Sequence, residues 1–169
     1  IDLGVEKIAL SAAAVTNPQL LTTIANAIGR QSVVAVLDVR KKTGLFGKGY
    51  EVCTHNAKVV HKQDPLSLAK ALENAGAGEI VINSIDRDGE MKGYDLALAL
   101  QLRSSLHVPL TVLGGAGSLD DIAKLISQCG IVGAAAGSLF VFKGPYRAVL
   151  ITYPNAQQKD ELCSAALSR

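Results

Sequence analysis

Short runs of β-branched residues alternate with stretches of helical periodicity along most of the chain. That alternation predicts βαβ units around a parallel sheet. Five strands are expected, over residues 7–13, 33–39, 79–84, 109–113 and 133–136. Asn17-Pro18 precedes a helix over 19–28 that Gly29 ends, and Asp64-Pro65 caps one over 66–74. A third helix is expected over 94–106. Ser118 opens a fourth, with Asp120 and Asp121 in its first turn, where carboxylates meet the positive end of the helix dipole. Residues 79–84 form a continuous apolar run of the kind buried on both faces. An insertion over 40–63 interrupts the alternation, and within it 50–54 and 58–61 can pair as a hairpin around Asn56. Beyond Phe142 the pattern weakens to a short strand or tail over 146–153 and a final helix over 157–167.

No composition shift marks a linker, so residues 1–169 are read as one domain. Five parallel strands fit either an open doubly wound sheet or part of a (β/α)8 barrel, and strand composition does not choose between them. A content of 49% hydrophobic and 19% charged residues excludes a disordered chain. Lys and Arg exceed Asp and Glu by only two, which argues against a general nucleic-acid or membrane-surface binder. Cys53, Cys129 and Cys163 are odd in number and widely spaced, which fits reduced thiols in the cytoplasm rather than a disulfide framework. The longest apolar stretch, 131–142, is too short to span a bilayer.

In either architecture ligands meet the C-terminal ends of the strands. Reading those ends in order gives Ser11, Asp38, Ser84 with Asp86-Arg87-Asp88-Gly89, the turn Gly114-Gly115-Ala116-Gly117-Ser118, and Ala136-Gly137-Ser138. The last two can cradle phosphate, since glycine amides approach anionic oxygens unhindered and a helix start adds its dipole. They also suit plain tight turns. Asp38 closes an apolar strand, where an ionised carboxylate is costly unless it faces the open mouth. Paired with Asp88 across one intervening strand position, it can serve as one of two acid–base groups. The alternative is a loop in which Asp86 and Asp88 flank Arg87 as an ion-pair cluster. No metal or nucleotide cofactor is expected: Cys53, His55 and His61 lack a fourth ligand, and Asp120 stands where a dinucleotide fingerprint needs Gly or Ala.

Residues 76–95 (GAGEIVINSIDRDGEMKGYD), GGAG at 114–117 and AAGSLFVF at 135–142 together resemble the cyclase subunit of imidazole glycerol phosphate synthase. The likeness continues upstream through 5–18 and 31–42. It implies a (β/α)8 barrel with this chain on strands four to eight, and about 80 further residues on the N-terminal side of a barrel of roughly 250. The chain's start at Ile1 rather than Met agrees. The resemblance implies that ammonia from a partner glutaminase attacks a formimino ribonucleotide with two phosphates, yielding imidazole glycerol phosphate and the aminoimidazole carboxamide ribonucleotide. Asp38 then matches a catalytic aspartate and Asp88 a further one at the mouth. Gly89, Gly115, Gly117, Gly137 and Ser138 fall on or beside one phosphate site, and Ser11 belongs to the second. At the opposite end, Lys7 and Glu79 match a charged gate for ammonia, and Glu6 becomes a docking residue for the glutaminase.

Three departures stand out. Ser11-Ala12 occupies the usual Asn-Thr position, Asn83 the usual Thr, and the insertion over 42–56 differs from its counterpart. These features are similar to a paralogous branch that supplies ammonia for acetamidino modification of bacterial surface sugars. An ammonia-conducting barrel in which Asp38 is dispensable, or an inactive half-barrel, are further readings.

Overall fold

The computed structural model describes residues 4–43 and 48–167; the part of the 42–56 insertion at 44–47 lies outside them. In chain order the elements are β1 (Ile8–Leu10), α1 (Ala12–Thr16), α2 (Gln19–Ile28), a 3-10 turn, β2 (Val33–Lys41), β3 (Tyr50–Thr54), β4 (Val59–His61), α3 (Pro65–Asn74) and β5 (Glu79–Ser84). There follow α4 (Leu96–Arg103), β6 (Leu110–Leu113), α5 (Leu119–Cys129), β7 (Gly133–Ala134), α6 (Ser138–Val141), β8 (Phe142–Lys143), β9 (Ala148–Val149) and α7 (Ala156–Leu167). The five strands read from the sequence are β1, β2, β5, β6 and β7, and all pair in parallel.

β2 is the hub. β5 occupies one edge, in register from Val34↔Glu79 to Val39↔Ser84. Its other edge is divided: β1 pairs with Val33–Ala35, and the antiparallel hairpin strand β3 pairs with residues 38–41. The hairpin of the insertion therefore continues the sheet at its C-terminal end, beyond the end of β1.

Period-2 alternation sorts the strand side chains. Val33, Ala35, Leu37 and Val39 of β2, Ile80 and Ile82 of β5, and Leu110 and Val112 of β6 are buried against Leu21 of α2, Leu68 and Leu72 of α3, Leu98 and Leu102 of α4, and Ile122 and Leu125 of α5. Each such Leu or Ile contributes about 1.5–3 kcal/mol. The other face carries Val36 and Asp38, Glu79, Val81 and Asn83, and Thr111 and Leu113, all half-buried. This corrects the expectation for residues 79–84: only Ile80, Ile82 and Ser84 are fully buried, because helices cover one side of β5 and leave the second side open.

Several boundaries also move; the strand expected over 133–136 is only Gly133–Ala134, and the helix expected to reach 106 ends at Arg103. The first strand stops at Leu10, since the alanines after Ser11 are strong helix formers and the Ser11 carbonyl accepts from the amides of Ala14 and Val15. The helix expected from 94 begins at Leu96, because the Asp95 carboxylate accepts the Leu98 amide as an N-cap. Elsewhere the caps are as read: Asp64 accepts from Ser67, and Ser118 and Asp121 form a reciprocal capping box at α5. Past Phe142 the chain forms the hairpin β8–β9 and then α7, with the Phe140 and Tyr153 rings 4.9 Å apart. Among the described residues no helix is long and apolar enough to cross a membrane.

Candidate active site

Asp38 and Asn83 stand opposite each other on adjacent strands and share the sheet face that the helices leave open. The Asn83 Nδ2 donates to Asp38 Oδ1 at 2.9 Å, while the Asn83 Oδ1 is buried without a hydrogen-bond partner among the described residues. Gly114, φ +93°, closes over that oxygen; a Cβ there would crowd Asn83 Oδ1 and the Ser84 backbone. Cross-strand from Asp38 on the hairpin lies Cys53, whose thiol burial pushes up. Two residues further out, Arg40 Nε meets Glu51 Oε1 at 2.7 Å, on the same face as Asp38.

Asp88 is exposed in the loop after β5, where its amide donates to the Ser84 carbonyl at 3.0 Å. β2 and β5 are direct neighbours, so no strand position separates the two aspartates' strands, contrary to the spacing expected. The loop is also not an Asp86–Arg87–Asp88 ion cluster. Asp86 accepts the Lys41 amide at 3.0 Å, and Arg87 turns to the Gly93 carbonyl (3.0 Å) and to Asp95 (3.6 Å).

The glycine-rich turns lie against this loop. Gly93 N–H donates to the Gly115 carbonyl at 2.8 Å, and a Cβ at Gly115 or Gly117 would overlap the backbone of Gly93 or Met91. Here glycine is required by close approach. The amides of Gly117 and Ser118 both donate to Asp121 Oδ2, at 2.9 and 3.0 Å, so α5's capping box already uses two donors of the turn. Gly137 and Ser138 open α6 one strand later, Ser11 lies at the end of β1, and the Gly89 carbonyl accepts from Arg147 Nη2 at 2.9 Å.

At the opposite end of the sheet Lys7 Nζ and Glu79 Oε2 are 2.5 Å apart, and the Thr111 hydroxyl donates to Glu79 Oε1 at 2.7 Å. Burial alone would raise the Glu79 carboxyl; the Lys7 ammonium and the Thr111 hydroxyl outweigh it and hold the group below the usual carboxylate range. Glu6 is exposed nearby in sequence.

Sequence reading missed two carboxylates. Glu73 Oε1 accepts the amides of His107 and Val108, both at 2.8 Å, from the start of the neighbouring strand. Asp95 is buried and accepts the Tyr50 hydroxyl at 3.0 Å; burial, then this bond, pushes the Tyr50 phenol up to about 12. The only local signal for Asp95 was its place before an apolar run. No group of three or more His, Cys, Asp or Glu able to hold a metal occurs among the described residues; His55 and His61 lie 3.1 and 2.9 Å from the Thr54 hydroxyl instead.

Parallel strands in sequential order, with helices packed on one face and the other left open, are the arrangement of part of a (β/α)8 barrel. The chain belongs to the histidine biosynthesis protein family, which matches residues 1–146. It is 52% identical over 159 residues to a Vibrio vulnificus protein provisionally named imidazole glycerol phosphate synthase subunit hisF3, covering 94% of this chain and 60% of that one. A Pseudomonas aeruginosa protein provisionally named subunit hisF2 is 48% identical over 94% of this chain and 62% of its own length. The imidazole glycerol phosphate synthase subunit HisF of Chlorobium phaeobacteroides is 37% identical over 83% of this chain and 54% of its own. The chain thus spans about three-fifths of the length of the curated relatives it matches.

Proposed function

We propose that the chain is the C-terminal part of a cyclase-type subunit that uses ammonia from a glutaminase partner to convert a bis-phosphorylated formimino ribonucleotide to imidazole glycerol phosphate and the aminoimidazole carboxamide ribonucleotide. One observation carries this reading. Glu79 with Lys7 and Asn83 with Asp38 mark the two ends of a single lumen face, about 13 Å apart along β5. A small neutral nucleophile admitted at the paired charges would travel past Val81 and Val36 to the carboxylate.

Asp38, held by the Asn83 amide, is placed to take a proton from the attacking nitrogen and return it to the departing group. Asp88 is the second acid–base group at the rim. The turns at Gly89, Gly115, Gly137 and Ser138 hold one phosphate, with Gly117 beside it as a position that must stay free of a side chain while its amide is taken by Asp121, and Ser11 borders the other. No cofactor enters this chemistry. The test is turnover of the formimino ribonucleotide by the full-length protein with Asp38→Asn, which should lose at least about a hundredfold in rate; wild-type rates would remove Asp38 from the mechanism. Lys7→Ala should impair glutamine-dependent turnover more than turnover with added ammonium, and equal losses would remove the gate.

A second reading is favoured by the gap between 47–52% identity to provisionally named subunits and 36–37% to HisF proteins named without that qualifier. Together with Asn83 in place of Thr, that gap supports a paralogue supplying ammonia for acetamidino groups on surface sugars. Such a protein, given its glutaminase, would release ammonia yet leave the formimino ribonucleotide unconverted.

A further inference from the structure

On the cyclase reading above, we infer that Asn83 is a positioning residue: its side-chain amide decides which oxygen of Asp38 does the acid–base work, and it does so at a cost in stability. In the sheet register Asn83 has Asp38 of β2 on one side and Leu113 of β6 on the other. Only the first can use a polar group. The amide nitrogen donates to Asp38 Oδ1 at 2.9 Å, and the amide oxygen is buried without a donor among the described residues. Gly114 closes on that oxygen, since a Cβ there would stand 3.0 Å from it and 2.5 Å from the Ser84 carbonyl oxygen. Turning the amide over gains nothing. It would set the oxygen against an ionised carboxylate and strand the nitrogen instead, because the Ser84 carbonyl already accepts the amides of Arg87 and Asp88. The side chain therefore has one orientation, and Asp38 sets it.

Two oxygens of this pair accept no hydrogen bond among the described residues, and they differ in access. Asn83 Oδ1 is shut away, whereas Asp38 Oδ2 keeps contact with solvent. On the other side of Asp38 the cross-strand neighbour Cys53 is fully buried, and Arg40 and Glu51 further out are paired with each other. With Oδ1 filled from the neighbouring strand, Oδ2 is the oxygen left to take the proton from the attacking nitrogen, and the amide holds the carboxylate while it does so. The cost is the buried acceptor that has no donor. An apolar side chain of the same size, placed beside Leu113, removes that cost and the aim of Asp38 together. Stability and rate should then move in opposite directions.

In the full-length protein Asn83→Leu should keep or raise the melting temperature while kcat with the formimino ribonucleotide and ammonium falls at least about tenfold. KM should stay within about twofold, because the interaction lost acts on the reacting oxygen and not on substrate binding. Asn83→Ala, which removes the amide without filling its place, should show the same fall in kcat. Unchanged kcat in both variants, or a rise in KM alone, overturns the inference, and a melting temperature lowered in Asn83→Leu overturns the cost in stability. Nuclear magnetic resonance with isotope-labelled asparagine separates this role from the reading beneath it: one Asn83 side-chain amide proton should lie well downfield of its twin, and Asp38→Leu should bring the two together. If that signature is present and the wild type leaves the formimino ribonucleotide unconverted, the cyclase reading falls and the positioning of Asp38 stands. If the wild type converts it without the signature, the reading stands and the inference falls.

Discussion

The two ends of the sheet treat their carboxylates differently. At the N-terminal end Glu73 accepts two backbone amides on one oxygen, and Glu79 takes an ammonium on one oxygen and a hydroxyl on the other. At the C-terminal end Asp38 has one amide donor, and Asp88 makes no side-chain hydrogen bond or ion pair among the described residues. Carboxylates whose oxygens are filled by the protein hold strands in place. Those left short of donors retain capacity for something that is not protein. At the mouth the division runs between carboxylates: Asp86, Asp95 and Asp121 accept donors of the protein, and Asp38 and Asp88 are the ones left short.

Substitutions at the two ends should therefore sort by what they cost. Glu73→Ala strands two amides, one of them on buried Val108, and should lower unfolding stability by about 3 kcal/mol in urea titration. A loss below about 1 kcal/mol would mean water replaces the carboxylate and the lower end is not special. Glu79→Gln should cost about 1 kcal/mol or less, since Lys7 is half exposed and solvent screens the pair. Its pH dependence is diagnostic. Because the folded-state carboxyl is held low, its contribution is complete above the unfolded value of about 4.3 and is lost as pH falls through the lower folded value. The difference between wild type and Glu79→Gln should accordingly shrink on acidification below that range, and a difference that grows would reverse the sign argued here. Asp88→Asn should change stability by no more than about 0.5 kcal/mol. A larger loss would show that the mouth carboxylates are structural after all.

Much of this was legible in the chain. The ranges of α2 and β5 and the caps at Asp64 and Ser118 follow from Pro, Asp, Ser and β-branched residues whose effects act within four residues. Asp38 was legible because a carboxylate at the end of an apolar strand is conspicuous. What escaped depends on partners distant in sequence: Tyr50 reaches Asp95 across 45 positions, and Glu73 reaches Val108 across 35. Arg87 looked as though it belonged to the aspartates on either side of it, yet adjacent loop residues project apart, and its guanidinium found Gly93 and Asp95. The half-buried side of β5 escaped for another reason: apolar lumen and apolar core read alike along one strand.

The divided edge of β2 has a kinetic consequence. From Val34 to Val39 the strand is flanked by β5 on one side, and β1 and β3 share the other, so its amides and carbonyls are engaged on both edges along most of its length. Opening β1 frees only the lower half, and fraying of the β3–β4 hairpin frees only the upper. Solvent exchange of the β2 amide protons thus requires two separate neighbours to leave or the sheet itself to come apart. The stave that carries Asp38 should be among the last segments of the molecule to take up deuterium, even while the hairpin beside it exchanges early.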